Sequence, residues 1–177
     1  MTEKKGLTII YIGDGKGKTS AAAGLAIRAA GTGFRVLYAQ FVKGDWPSGE
    51  REVLQSLKNV EVKLLGRGFV GILGDRKPLE EHVRAAKQGL EFVTKALKSK
   101  KYDLVIADEA ISAIESGLLT VEDVERLIKA KPKQAHLCLT GHKRIKKLID
   151  LADLVTEMKM IKHPYYQGIL AQRGIDY

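Results

Sequence analysis

Leu7-Thr8-Ile9-Ile10-Tyr11-Ile12, then Gly13-Asp14-Gly15-Lys16-Gly17-Lys18-Thr19-Ser20, then the alanine-rich run from Ala21 to Ala30: these three pieces, in this order, decide the fold. An apolar β-branched run, a glycine-rich loop and a helix-forming run read as strand, phosphate loop and helix. Glycines let backbone N–H groups converge on an anion, the new helix adds its positive N-terminal end, and a lysine adds a full charge. The usual pattern is Gly, four residues, then Gly-Lys-Ser/Thr. Gly17-Lys18-Thr19 satisfies its end, but the expected first glycine falls on Ile12 and Gly13 stands one place late. Gly13, Asp14, Gly15, Lys16, Gly17, Lys18, Thr19 and Ser20 are therefore the expected nucleotide-phosphate-binding set. Within it, Lys18 neutralises phosphate oxygens and the Thr19 hydroxyl is offered to magnesium.

Outward from the loop, five further apolar runs read as strands: Val36 to Val42, Val60 to Leu65, Asp103 to Ala107, Ala135 to Thr140 and Ala152 to Thr156. Several are apolar without alternation, as when both faces of a sheet are covered. Between them, Leu79, Val83, Ala86, Leu90, Val93 and Leu97 recur at helical spacing. Thr120 and Asp123 form a capping box ahead of Val121, Val124, Leu127 and Ile128, and Pro132 closes that helix. Strands alternating with helices predict an α/β fold: a P-loop NTPase, RecA-like, three-layer αβα sandwich with a mostly parallel sheet of about six strands. At 177 residues, a single domain spanning 1–177 is expected. Two glycine-bearing loops, Lys43 to Gly49 with Trp46 and Gly66 to Pro78 with Phe69, follow strand ends, where ligands bind on such sheets.

Composition bounds the partners. Hydrophobic residues at 45% and charged residues at 29% describe a globular chain. No apolar run approaches the ~18 residues of a membrane span, and the first residues do not form a signal peptide. The lone Cys138 excludes an internal disulfide and makes a cytoplasmic location the default; its apolar neighbours mark it as a buried structural thiol. The net charge of +9 is compatible with an anionic small molecule, nucleic acid or solubility alone. The basic clusters Lys98-Lys100-Lys101 and Lys143-Arg144-Lys146-Lys147 lack interleaved aromatics and read as solvated faces.

The apolar run Leu104-Val105-Ile106-Ala107 ends in Asp108-Glu109, placing two acids where a P-loop protein completes a magnesium site. The same acids would suit a helix N-terminus, and spacing alone does not choose between them. Thr140-Gly141-His142 is a polar turn at a strand end; His136, His142 and His163 carry no catalytic spacing. There is no Ser/His/Asp arrangement and no Cys/His metal pattern. These features imply magnesium and a nucleoside triphosphate, but leave kinase, ATPase and nucleotidyl or adenosyl transferase open.

The whole set of motifs resembles the P-loop class of ATP:corrinoid adenosyltransferases, acting on cob(I)alamin or cob(I)yrinic acid a,c-diamide. It comprises the shortened loop Gly13 to Thr19, Gln40-Phe41-Val42-Lys43-Gly44 with Trp46, Gly49 and Glu50, Gly68-Phe69, Tyr102-Asp103-Leu104-Val105 with Asp108-Glu109, and Leu139-Thr140-Gly141. Ala152 to Met158, Lys162-His163-Pro164, Ala171-Gln172 and Gly174-Ile175-Asp176-Tyr177 complete it. The displaced first glycine is that family's own form of the loop.

The resemblance implies that Co(I) of the corrinoid attacks C5′ of ATP and expels the whole triphosphate, in adenosylcobalamin biosynthesis or salvage. ATP is then expected to lie reversed relative to ordinary P-loop proteins. Lys18 and Glu109 are the implied catalytic residues, Thr19 and Glu109 the magnesium ligands with Asp108 beside them, and Phe69 and Trp46 the corrinoid contacts. A flavoprotein or flavodoxin-type reductant and a homodimer are the implied partners, with neither membrane nor nucleic acid. Three departures stand out: Gly71 where the family carries tryptophan, His142 where arginine usually follows Thr-Gly, and a short N-terminus where many relatives have a closing helix. The competing readings are a P-loop NTPase or kinase that cleaves at phosphorus, and a RecA-like nucleic-acid-binding module.

Overall fold

The structure, a computed structural model, describes residues 5–42, 44, 48–68, 70–71 and 74–177. Six strands form one sheet: β1 (Thr8–Ile12), β2 (Val36–Gln40), β3 (Val60–Leu64), β4 (Leu104–Asp108), β5 (His136–Thr140) and β6 (Leu154–Glu157). Their order is β3-β2-β4-β5-β1-β6, and every pairing is parallel. Each apolar run expected as a strand is one, within two residues or so at its ends.

The helices cover both faces. On one side, α1 (Lys18–Gly31) sets Ala22, Ala23, Ala26 and Ala29, and α2 (Gly49–Ser56) sets Leu54, against Val36, Tyr38, Leu104, Ile106 and Cys138. Alanines allow α1 to lie close to the strands. On the other side, α3 (Leu79–Lys98) and α5 (Val121–Lys129) pack Ala86, Val93, Leu97, Val124 and Leu127 onto Leu37, Ala39, Val105, Ala107, Leu137 and Leu139. Strand β4 thus divides its side chains between two cores, which is why it reads as continuously apolar. Two short helices, α4 (Ser112–Glu115) and α6 (Lys146–Ile149), add Ala113 and Leu148 to the second core. Strand β6, at the sheet edge, is the exception: it is exposed along its length.

The capping box forms as expected. Thr120 Oγ1 accepts the Asp123 N–H at 3.1 Å, and Asp123 Oδ2 accepts the Thr120 N–H at 2.8 Å. Cys138 is fully buried, and burial pushes its thiol pKa upward. The parallel register brings the C-terminal ends of β1, β4 and β5 together, with Tyr11 opposite Thr140 and Gln40 opposite Asp108. The site is built there.

Candidate nucleotide site

Helix α1 begins three residues before the alanine run, at Lys18. Gly17 is its N-cap with φ 107°, and no side chain caps the first turn. The opening N–H groups of an α-helix have no partners within the helix. Here they border a cavity of about 500 Å³ lined by loop residues 16–20, Gly49 and Glu50 at the start of α2, Glu109, and residues 174–177. Anion binding at such a terminus needs no other device.

The first half of the loop has a different role. Gly13 donates its N–H to His142 O at 3.0 Å, and Gly15 donates to Met158 O at 2.8 Å. Asp14 Oδ1 accepts the Met160 N–H at 3.3 Å. A Cβ on Gly13 would lie 2.2 Å from Met158 O, so the loop is held against the segment after β6. Residues 16–20 face the cavity, and residues 13–15 anchor them.

Lys18 is 6% exposed, with Nζ donating to Gly15 O at 2.8 Å. Burial lowers its pKa, opposed by the charges of Glu109, Asp14 and Asp108. Across the cavity floor, Thr19 Oγ1 lies 3.2 Å from Asp108 Oδ1 and 3.4 Å from Oδ2. Asp108 is fully buried and also accepts from Thr140 Oγ1 at 2.7 Å and Gln40 Nε2 at 3.3 Å. Thr140 Oγ1 in turn accepts the Glu109 N–H at 2.8 Å. That bond steadies Glu109 at φ 62°, a left-handed conformation costly for a side chain of its size and typical of functional positions. The two acids therefore differ: Asp108 is fixed beneath Thr19, whereas Glu109 lines the cavity.

The donor chemistry fits a hard divalent cation. Thr19, Asp108 and Glu109 offer only oxygens, and Gln40 Oε1 beside them is a buried acceptor without a hydrogen-bond partner among the described residues. No group of three or more His, Cys, Asp or Glu side chains converges among the described residues. A magnesium ion would take one or two carboxylates here and complete its shell with phosphate oxygens and water.

A family model described as ATP:corrinoid adenosyltransferase BtuR/CobO/CobP matches residues 4–177. The chain belongs to this family. It is 34% identical over 175 residues to the corrinoid adenosyltransferase of Escherichia coli strain K12, covering 99% of this chain and 87% of that one. It is 35% identical over 175 residues to the corrinoid adenosyltransferase CobA of Salmonella typhimurium, with the same coverage. Among solved structures, the KaiC-like protein PH0186 of Pyrococcus horikoshii superposes with a TM-score of 0.59 at 14% identity, covering 89% of this chain and 75% of that one. That likeness bears on the fold alone, and agrees with the RecA-like α/β architecture.

For this member of the adenosyltransferase family, the structure gathers Lys16, Gly17, Lys18, Thr19, Ser20 and Glu109 around one cavity and sets Asp108 beneath it. Trp46 and Phe69, the expected corrinoid contacts, lie outside the described residues. Three features went unread in the sequence: Gln40 and Thr140 as holders of Asp108, Glu50 as a cavity wall, and residues 174–177 as the opposite wall. The histidines are structural neighbours. His136 Nδ1 accepts the Leu7 N–H at 3.1 Å, His163 Nδ1 accepts the Tyr165 N–H at 3.2 Å, and His142 Nδ1 sits 3.1 Å from Ser112 Oγ.

Proposed function

We propose that this protein transfers the 5′-deoxyadenosyl group of ATP to the Co(I) centre of a corrinoid and releases triphosphate. The observation that carries the reading is the Thr19–Asp108 pair closing a phosphate loop of the family's shortened form, in a chain matched by the family from residue 4 to 177. In the reaction, the cobalt electron pair forms a bond to C5′, the C5′–O bond breaks, and its pair leaves on the triphosphate. Cobalt passes formally from Co(I) to Co(III). The nucleophile belongs to the substrate, so no protein base is required, and holding two reactants in line is worth ~7–11 kcal/mol.

The protein's share is the leaving group. Lys18 and the N–H groups of residues 16–20 take up charge as it develops on the triphosphate, with Lys18 and Glu109 the proposed catalytic residues. Magnesium, held by Thr19 with Asp108 and Glu109, would neutralise phosphate charge. Gly13, Asp14 and Gly15 support the ATP-binding loop from behind, and Phe69 and Trp46 are assigned to the corrinoid.

A reductant of the flavoprotein or flavodoxin type supplies Co(I), and the cytoplasm is the proposed compartment. No helix among the described residues is long and apolar enough to cross a membrane. We also propose a single domain over residues 1–177 and a homodimer. In support, edge strand β6 is exposed along its length, and Leu154, Val155, Ile161, Tyr166 and Leu170 on it and after it are exposed apolar side chains. The nucleic-acid reading is weakened where the basic clusters are neutralised: Lys146 pairs with Asp150, Lys147 with Glu122 and Glu125, Arg144 with Glu157, and Lys101 with Glu61.

Anaerobic incubation with Mg-ATP and chemically reduced cobalamin tests the activity. A light-sensitive cobalt–carbon chromophore is expected; its absence, with the protein folded and ATP-bound, would reject the assignment.

A further inference from the structure

Residues 172–177 fold into a turn against the phosphate loop. Asp176 donates its N–H to Gln172 O at 2.8 Å, Ile175 donates to the same carbonyl at 3.2 Å, and Gly174 donates to Tyr177 O at 2.8 Å. The Gln172 N–H holds Asp176 Oδ2 at 2.8 Å. The other carboxylate oxygen, Oδ1, is ion-paired with Lys16 Nζ. The two loop lysines thus differ. Lys18 is buried and tied to Gly15 O, while Lys16 is half exposed and is held by an acid from 160 positions further along the chain.

We propose that Asp176 competes with the triphosphate for Lys16 and so sets the release of the leaving group. The inference rests on the nucleotide reading above. When the C5′–O bond breaks, the triphosphate gains the bonding pair and hence negative charge. A cradle that stabilises this developing charge also holds the product more tightly than the substrate. Opening and product release limit many well-evolved enzymes. A carboxylate pre-oriented by its own turn and seated on the loop's half-exposed lysine counters that retention while Lys18 and Thr19 keep their own partners. Asp176 acts through Lys16 and is a positioning residue.

Calorimetric titration with inorganic triphosphate and magnesium, without corrinoid, tests this on wild type, Asp176→Asn, Lys16→Ala and the double variant. Asn keeps the oxygen that accepts the Gln172 N–H, and Asp176→Ser serves if the amide disturbs the turn. Asp176→Asn should tighten triphosphate binding about two- to five-fold, the scale of a partly exposed ion pair. The gain should vanish in the Lys16→Ala background, and Asp176→Glu should restore wild-type affinity. Unchanged or weaker binding in Asp176→Asn, or a gain that survives Lys16→Ala, would overturn the proposal while leaving the nucleotide site standing. A wild-type protein that binds neither triphosphate nor ATP would overturn the site reading and this inference together.

Discussion

The Thr19 hydroxyl and the Asp108 carboxylate stand 3.2 Å apart, although 89 positions separate them in the chain. One belongs to the first turn of α1, the other to the last position of β4, and the parallel order of β1, β5 and β4 sets their separation. Around Asp108, Gln40 and Thr140 supply two further donors. A buried carboxylate held by Thr19, Gln40 and Thr140 among the described residues is a fixed point, and the cavity is measured from it.

Asp108→Ala would leave the Thr140 and Gln40 donors buried without their acceptor. It should therefore destabilise the fold by about 1–3 kcal/mol as well as abolish turnover. Asp108→Asn keeps the shape and should spare most of the stability while still reducing turnover. Urea denaturation beside the adenosylation rate separates the two effects; equal stability loss in both variants would contradict the hydrogen-bond account, and wild-type turnover in Asp108→Asn would contradict a role for the charge.

Lys18→Ala and Glu109→Ala face the cavity and should behave differently from Asp108→Ala. Each is expected to lower turnover by on the order of 10²-fold or more, the scale of removing one pre-organised charge stabiliser. Circular dichroism should show an intact fold. Wild-type rates in both would remove these residues from the mechanism.

Gly13→Ala probes the back of the loop. Its Cβ would meet Met158 O at 2.2 Å on a backbone with φ 113°, so the loop or the segment after β6 must move. A loss of about 1–3 kcal/mol is expected, together with weaker ATP binding. Denaturant midpoints and nucleotide titration check both parts.

Carboxylates held below their ordinary pKa give the stability a pH dependence, Asp123 and Glu61 among them. Burial pushes Asp123 up, but the Lys87 and Thr120 hydrogen bonds more than offset this and hold it below the ordinary carboxylate value. The Lys101 and Tyr102 hydrogen bonds hold Glu61 down at about 2. A depressed carboxylate stabilises the fold above its unfolded pKa of roughly 4. That contribution is lost as pH falls through the folded value. Denaturant midpoints should thus be flat near neutrality and fall between about pH 5 and 2. Asp123→Asn and Glu61→Gln should each flatten the acid limb, and an unchanged limb in both would refute this assignment.

Most of the architecture was legible because β1, β2, β4 and β5 are buried on both faces and their side chains carry little else but packing. Helix α2 was not, since only Leu54 of its eight residues is buried and the rest reads as polar loop. Strand β6 was found by its apolar run although its edge position leaves it exposed. At the site, the phosphate loop was local and readable, whereas the different placements of Asp108, beneath Thr19, and Glu109, on the cavity wall, involve Gln40 and Thr140, brought in by neighbouring strands. The Lys16–Asp176 pair had no local signal at all.

The central claim is that ATP is cut at carbon rather than phosphorus. Phosphorus NMR of the products, after anaerobic reaction of Mg-ATP with Co(I) corrinoid, reads this directly. The account predicts intact triphosphate in equal amount to the adenosylated corrinoid. ADP with orthophosphate, appearing in step with corrinoid consumption, would contradict it.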